Sequence, residues 1–263
     1  MTLSTLVKNR LAFLRWPLDR LEERNRAIRG KSIVNNGAEE ARYPIRTVRY
    51  WWAHCALLEE LTRQGRELTI ADVGCSTGHT RQYIGDIPGT RWIGLDWKIR
   101  GEDLADNGYV ATHECDFDAT LPLPDATADV IIFLHVIEHL PRPEFTIREL
   151  ARILKPGGVI LAGSPVAPSF VARMRTAQLR SRLARGVVKA GCHINSMSGR
   201  FWRKLVNDAG LDVEIHTGTF LIRWSKNPLE NSAIWMRLNQ AWGALFPSLG
   251  GELYLSARKP AAE

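Results

Sequence analysis

Ala71-Asp72-Val73-Gly74-Cys75-Ser76-Thr77-Gly78-His79-Thr80 is the stretch on which the fold turns. An apolar run, Leu68–Val73, ends in small residues and passes into a helical pattern over 78–85, so the spacing predicts strand, tight turn and helix. Small side chains in such a turn let backbone approach a ligand closely, and a helix N-terminus beside it offers free N–H groups to an anion. Asp96 closes the next apolar run, Trp92-Ile93-Gly94-Leu95-Asp96, at a place where a carboxylate can accept both hydroxyls of a ribose. A dinucleotide fingerprint would need glycine at 74, 76 and 79; the chain has Gly74, Ser76 and His79, which argues against a nicotinamide dehydrogenase.

Outward from that turn, short apolar runs alternate with helical segments, the mark of a parallel α/β sheet. Strands are predicted at Leu68–Val73, Arg91–Leu95, Tyr109–His113, Asp129–Leu134, Val159–Gly163, Leu211–Thr217 and Glu252–Ala257. Helices are expected at about 46–64, 78–85, 98–106, 144–154, 197–209 and 230–246, the first with Val48, Trp52, Cys55 and Leu58 inward and the last with its Trp235, Trp242, Ile234, Leu238 and Leu245 packed into the core. Residues 1–66 read as an N-terminal helical arm whose stripe is Val7, Leu11, Leu14, Leu18 and Leu21, kinked or restarted at Pro17. Residues 67–263 read as the sheet domain, with 164–195 inserted as a cap over the carboxyl edge, where open α/β sheets bind ligands.

The chain has 263 residues, 45% apolar and 24% charged, which can bury a core without staples and excludes disordered, collagenous and coiled-coil classes. Cys55, Cys75, Cys115 and Cys192 form no C-x-x-C pair, so the pattern suggests a reducing cytoplasm and no zinc cluster. No apolar run approaches the roughly 18 residues of a membrane span, leaving at most peripheral contact with the inner face of a membrane. Net charge is +7 and segregated: residues 102–149 hold 11 acids against Arg142 and Arg148, whereas 150–207 hold 11 basic side chains and no acid. That basic stretch is expected to govern an anionic acceptor or to rest on an acidic membrane surface.

The order of motifs resembles the class I S-adenosylmethionine-dependent methyltransferases. Asp72-x-Gly74-x-Ser76-x-Gly78 is similar to their acidic-x-Gly-x-Gly-x-Gly loop, with Ser76 in place of the middle glycine. Cys115-Asp116-Phe117-Asp118 through Ala128-Asp129-Val130, then His135-Val136-Ile137-Glu138-His139-Leu140 and Leu154-Lys155-Pro156-Gly157-Gly158, resemble the later motifs in the same order. The likeness spans about residues 68–163 and, more loosely, 192–258. It implies an α/β fold with a seven-stranded Rossmann-like sheet, last strand antiparallel, and S-adenosylmethionine as cofactor. It further implies that the backbone of Gly74, Cys75, Ser76 and Gly78 holds the methionine part, with Asp72 at the amino group directly or through water. Asp96 would bind the ribose, Trp97 would lie against adenine, and Asp116 would accept from the adenine amino group with Phe117 beside the ring; Asp118 is the alternative reader. His135 would face the methyl end.

His135, Glu138 and His139 share one face of a helical turn, and with His193 they would suit a divalent metal. Some small-RNA 2′-O-methyltransferases and quinone-pathway O-methyltransferases place metal ligands on a similar turn, with an acid where this chain has His135. A hydrogen-bonded structural role without metal is expected here. A hydroxyl acceptor must lose its proton, and His135 and His193 are the candidate bases. The acceptor is expected to be a small molecule, a sugar or a lipid-linked intermediate, methylated on oxygen, with RNA and then protein as alternatives. A non-catalytic cofactor-binding subunit is the rival reading.

Overall fold

In the computed structural model, which describes residues 10–11, 14, 16–29, 41–100, 107–187, 192–221 and 227–261, the apolar runs form seven strands. These are β1 (Leu68–Val73), β2 (Thr90–Asp96), β3 (Tyr109–Glu114), β4 (Ala128–Leu134), β5 (Leu154–Pro165), β6 (Asp212–Thr219) and β7 (Glu252–Arg258). They make one sheet of order β3-β2-β1-β4-β5-β7-β6, with β7 antiparallel to both neighbours. This is the predicted Rossmann-like sheet. β1, β2, β4 and β5 run parallel, so their carboxyl ends share one edge, and chain direction through the sheet reverses between β1 and β4. β5 starts five residues earlier than the expected Val159, since Lys155-Pro156-Gly157-Gly158 continues the strand through a register shift against β4.

The α-helices among the described residues are α1 (Leu18–Ala27), α2 (Val48–Gln64), α3 (His79–Ile84), α4 (Pro143–Ile153), α5 (Ser169–Ala184), α6 (Gly199–Asp208) and α7 (Ala233–Leu245). Their ends follow local chemistry. Pro17 precedes α1, so the arm restarts there as its sequence requires; Pro143 opens α4; Ser198 and Ser232 cap α6 and α7 by accepting from the N–H groups of Phe201 and Trp235; Gly65 closes α2 at φ +60°. Of the predicted helix over 98–106, residues 98–100 are a bend and coil, and 101–106 lie outside the described residues, as does Val7 of the arm.

Two cores flank the sheet. One joins α1, α2 and α3 to the β1, β4 and β7 side chains Ile70, Val130 and Tyr254; the other joins α4 and α6 to Ile131, Phe133 and Leu255. α2 departs from its expected one-sided burial: Tyr50, Trp51, Ala53, His54, Ala56 and Leu57 are buried as well, because the sheet covers one side and Trp16 and α1 another. α7 reverses its expectation. Ile234 is 75% and Leu238 59% exposed and Trp235 and Trp242 are half-buried, while Met236, Asn239, Gln240 and Gly243 are buried.

Between β5 and α6 the two ends of the connection meet. Val166 bridges Met197, and the Ala167 N–H donates to the Met197 carbonyl at 2.9 Å, so the chain leaves and returns at one point with α5 between.

Candidate active site

The loop after β1 is built by backbone constraints. A methyl group on Gly74 (φ +89°) would stand 2.2 Å from Val136 Cγ2, so only glycine lets the turn after β4 close over the loop. Ser76 itself sits at φ +45°, a left-handed conformation that costs a non-glycine residue about 1 kcal/mol and explains why glycine suits this place. The Gly74 and Cys75 N–H groups donate to the Leu95 carbonyl, the Ser76 N–H to Asp96 and the Gly78 N–H to the Cys75 carbonyl. The expected row of free N–H donors is therefore engaged within the chain at these four positions; the loop offers close approach instead. Cys75 is buried beneath Gly94, its thiol pKa pushed up by burial.

Beside this loop, at the carboxyl ends of β1, β2 and β4, lies a cavity of about 450 Å³. Gly74, Ser76, Asp96, Trp97, Asp116, Phe117 and His135 of the predicted set are among its walls; Asp72, Cys75, Gly78 and His193 are not. Asp72 lies deeper, 2% exposed, accepting from the Tyr109 hydroxyl at 2.6 Å, and burial raises its pKa to about 7. Asp96 is 4% exposed and accepts at one oxygen from Ser76 N–H (2.9 Å) and at the other from Lys98 N–H (3.0 Å). Burial also raises its pKa, against those bonds. A carboxylate has about four acceptor positions, so Asp96 retains capacity for two neighbouring hydroxyls. Trp97 presents its indole, with the Arg100 guanidinium 5.6 Å from the ring centroid. Both aspartates beyond β3 line the cavity: Asp118 lies 3.8 Å from the Arg142 guanidinium and accepts from the Arg142 N–H, whereas Asp116 is exposed and accepts at Oδ1 from the Asp118 N–H at 2.8 Å.

At the other end of the cavity the chain leaves β4 through His135, a second left-handed residue (φ +57°) whose N–H donates to the Gly163 carbonyl. Its ring is pinned between two buried carboxylates, Nε2 2.9 Å from Glu252 Oε1 and Nδ1 3.5 Å from Glu138 Oε1. Backbone N–H groups of Ile194 and Asn195 both donate to the Glu138 carbonyl and bring His193 alongside. The His193 ring stacks edge-on with His139 at 4.8 Å, and its Nε2 is 4.0 Å from Glu138. Ligating atoms of Glu138, His139 and His193 all lie within 4.8 Å of one another. The four residues singled out from the sequence thus do meet.

The profile of a methyltransferase domain matches residues 46–216, about two-thirds of the chain. The chain belongs to this methyltransferase family. It is 29% identical over 178 residues to a probable S-adenosylmethionine-dependent methyltransferase of Mycolicibacterium smegmatis, covering 65% of this chain and 63% of that protein. It is 28% identical over 160 residues to the 27-O-demethylrifamycin SV methyltransferase of Amycolatopsis mediterranei, covering 53% and 58%. The chain thus spans somewhat less than two-thirds of the length of these curated relatives. Among solved structures it resembles in fold an S-adenosylmethionine-dependent methyltransferase from Mesorhizobium loti, with TM-score 0.53, 19% identity and coverage of 82% of this chain and all of that one.

S-adenosylmethionine is the cofactor of this methyltransferase, and the residues present fit it: acceptor capacity on a buried aspartate, a flat indole and an exposed aspartate converge on one cavity of suitable size. Two groups escaped the sequence reading. Glu252 opens an apolar strand after Gly250-Gly251, and a carboxylate in that position was the one available signal. Arg49, on α2, is half-buried; burial works against its charge, and the oxygens of Tyr50 and Glu252 more than offset it, so its pKa is raised.

Proposed function

We propose that this methyltransferase passes the methyl group of S-adenosylmethionine to an oxygen of a small-molecule, sugar or lipid-linked acceptor. The observation that carries this reading is the cavity itself, which has Asp96, Trp97, Asp116 and Phe117 at one end and the imidazoles of His135 and His139 at the other, with Glu138 beside His135 behind the wall. When bound, S-adenosylmethionine supplies a sulfonium methyl that an acceptor lone pair displaces in line, without protonation of the leaving thioether. Asp96 would hold the ribose hydroxyls, Trp97 and Phe117 would flank the base, and Asp116 would accept its amino group. Cys75, Gly78 and Asp72 act beneath these groups by shaping the loop. His193, 53% exposed and standing against His139 of the cavity wall, is the more available base for a hydroxyl proton, because both nitrogens of His135 already face carboxylates. His135, Glu138 and Glu252 would orient the turn that carries them. Holding acceptor and methyl in line is the main means of rate acceleration open to such a site, up to about 7–11 kcal/mol in well-oriented cases.

Calorimetry with S-adenosylhomocysteine tests the first half. One site per chain is expected, and Asp96→Ala should weaken it by about 1–3 kcal/mol through lost charge-assisted hydrogen bonds; unchanged affinity would remove Asp96 from the site. A mass increase of one methyl in an extract metabolite, after incubation with enzyme and cofactor, tests the second. Labelling confined to RNA would replace the acceptor class.

A further inference from the structure

A second cavity, of about 670 Å³, lies outside the cofactor site, between α5 and α6. Its walls carry Arg173 and Arg180 from α5 and Arg200 and Lys204 from α6, opposed by one carboxylate, Glu144 at the start of α4. Arg180 is fixed: Nε and Nη2 donate to Asn195 Oδ1 at 3.1 and 2.9 Å. Lys204 pairs with Asp208. Arg173 and Arg200 have no hydrogen-bond or ion-pair partner among the described residues, in a segment, 150–207, that contains no acid to provide one. The cavity is also tied to the first. Asn195, buried, donates to the Leu140 carbonyl, and the Arg180 guanidinium reaches the Pro141 carbonyl at 3.5 Å; Leu140 and Pro141 line the cofactor cavity. Two side chains therefore join the walls of both.

We propose that this second cavity binds a phosphate group of the acceptor, holding it by Arg173, Arg200 and Lys204 while the strap at 193–196 carries the rest toward His193. The inference rests on the methyl-transfer reading and names the class of acceptor it takes. A single carboxylate ligand would satisfy one guanidinium. A phosphoryl group, with about two charges and three acceptor oxygens, answers several cations converging from two helices and outweighs repulsion from Glu144. Guanidinium groups without internal partners suit it because their fork of donors stays charged and available.

The test uses the full chain and does not depend on turnover. Equilibrium dialysis with inorganic pyrophosphate, and flotation with phosphatidylcholine vesicles with and without phosphatidic acid, measure the phosphate group from a soluble and from a lipid source. The double variant Arg173→Gln/Arg200→Gln should lose about tenfold or more in one of these arms. The double variant Arg175→Gln/Arg182→Gln removes equal charge from α5 outside the cavity and should stay within about twofold of the parent. Both should keep parental affinity for S-adenosylhomocysteine, which shows that the fold is intact. Loss in the dialysis arm identifies a soluble phosphate, and loss in the vesicle arm alone a lipid-linked one. Equal losses in the two double variants, or no binding by the parent in either arm, would overturn the proposal. If the parent fails to bind S-adenosylhomocysteine while the phosphate arms behave as expected, the methyl-transfer reading falls and the anion site stands.

Discussion

The two aspartates of the loop show how one residue type takes opposite work from its surroundings. Asp96 has a place on the cavity wall, and Asp72 is closed off under Tyr109. In the unfolded chain Asp72 ionises near its ordinary 3.8; folded, burial moves this to about 7. Between those values the folded state holds the extra proton, so the contribution of Asp72 to stability falls as pH rises across that window, by at most about 1.4 kcal/mol per pH unit. Asn keeps an acceptor for the Tyr109 hydroxyl and cannot ionise. Asp72→Asn should therefore melt several degrees above the parent near about pH 8, with the margin closing toward about pH 4. A margin independent of pH would show that the carboxylate is not strained. The Glu138, His139 and His193 cluster is the other residue-scale question, since one carboxylate and two imidazoles are donors that divalent ions accept. Glu138 already faces His135, and we expect turnover to persist in a chelator; loss that Mg²⁺, Mn²⁺ or Zn²⁺ restores would assign the cluster to a metal.

At the scale of elements, α7 was the least legible in sequence and the sheet the most. A strand such as β4, Ala-Asp-Val-Ile-Ile-Phe-Leu, is buried on both faces and reads as a continuous apolar run, so its place at the centre could be seen directly. α7 carries a good apolar stripe, yet the stripe points outward, because what fixes its orientation is not hydrophobicity but the closeness of two backbones. A methyl on Gly243 would lie 2.1–2.3 Å from Gly218 and Thr219 backbone atoms, and one on Gly218 2.8 Å from the Glu252 carbonyl. The helix sits on β6 through that glycine, with Asn239 turned in to accept from the Leu221 N–H at 2.9 Å. Nothing in a single sequence distinguishes this glycine from a tolerated one. Gly243→Ala should push α7 off the sheet and cost about 1–3 kcal/mol, read as a fall in Tm with S-adenosylhomocysteine affinity nearly kept. A neutral effect would mean that α7 is held by its other contacts.

Over the whole molecule, the packing of α2 bears on where the chain can be divided. The change of pattern near residue 66 predicts an arm followed by a domain, because periodicity reports local structure and is blind to what an amphipathic helix covers. In the structure Trp52 stacks on Tyr254 of β7 with centroids 5.2 Å apart and planes 15° apart, and Trp51 and Leu57 are fully buried in the same core as Ile70 and Val130. Polar contacts follow the same path: the Arg258 guanidinium of β7 donates to both oxygens of Glu60 on α2, at 3.0 and 3.1 Å, and these bonds with those from Arg63 and Gln64 more than offset burial and hold the Glu60 pKa down to about 2. Losing even one large buried aromatic side chain costs about 3–5 kcal/mol, against a total stability of about 5–15 kcal/mol for a domain. Residues 67–263 alone would lose three buried tryptophans, Trp16, Trp51 and Trp52, and the cover of one sheet face. We expect that fragment to lack a cooperative thermal transition and a near-ultraviolet circular dichroism signal, whereas the full chain shows both. A cooperative melt of the fragment would make residue 66 a true boundary and reduce α2 to an appendage, despite its place in the core.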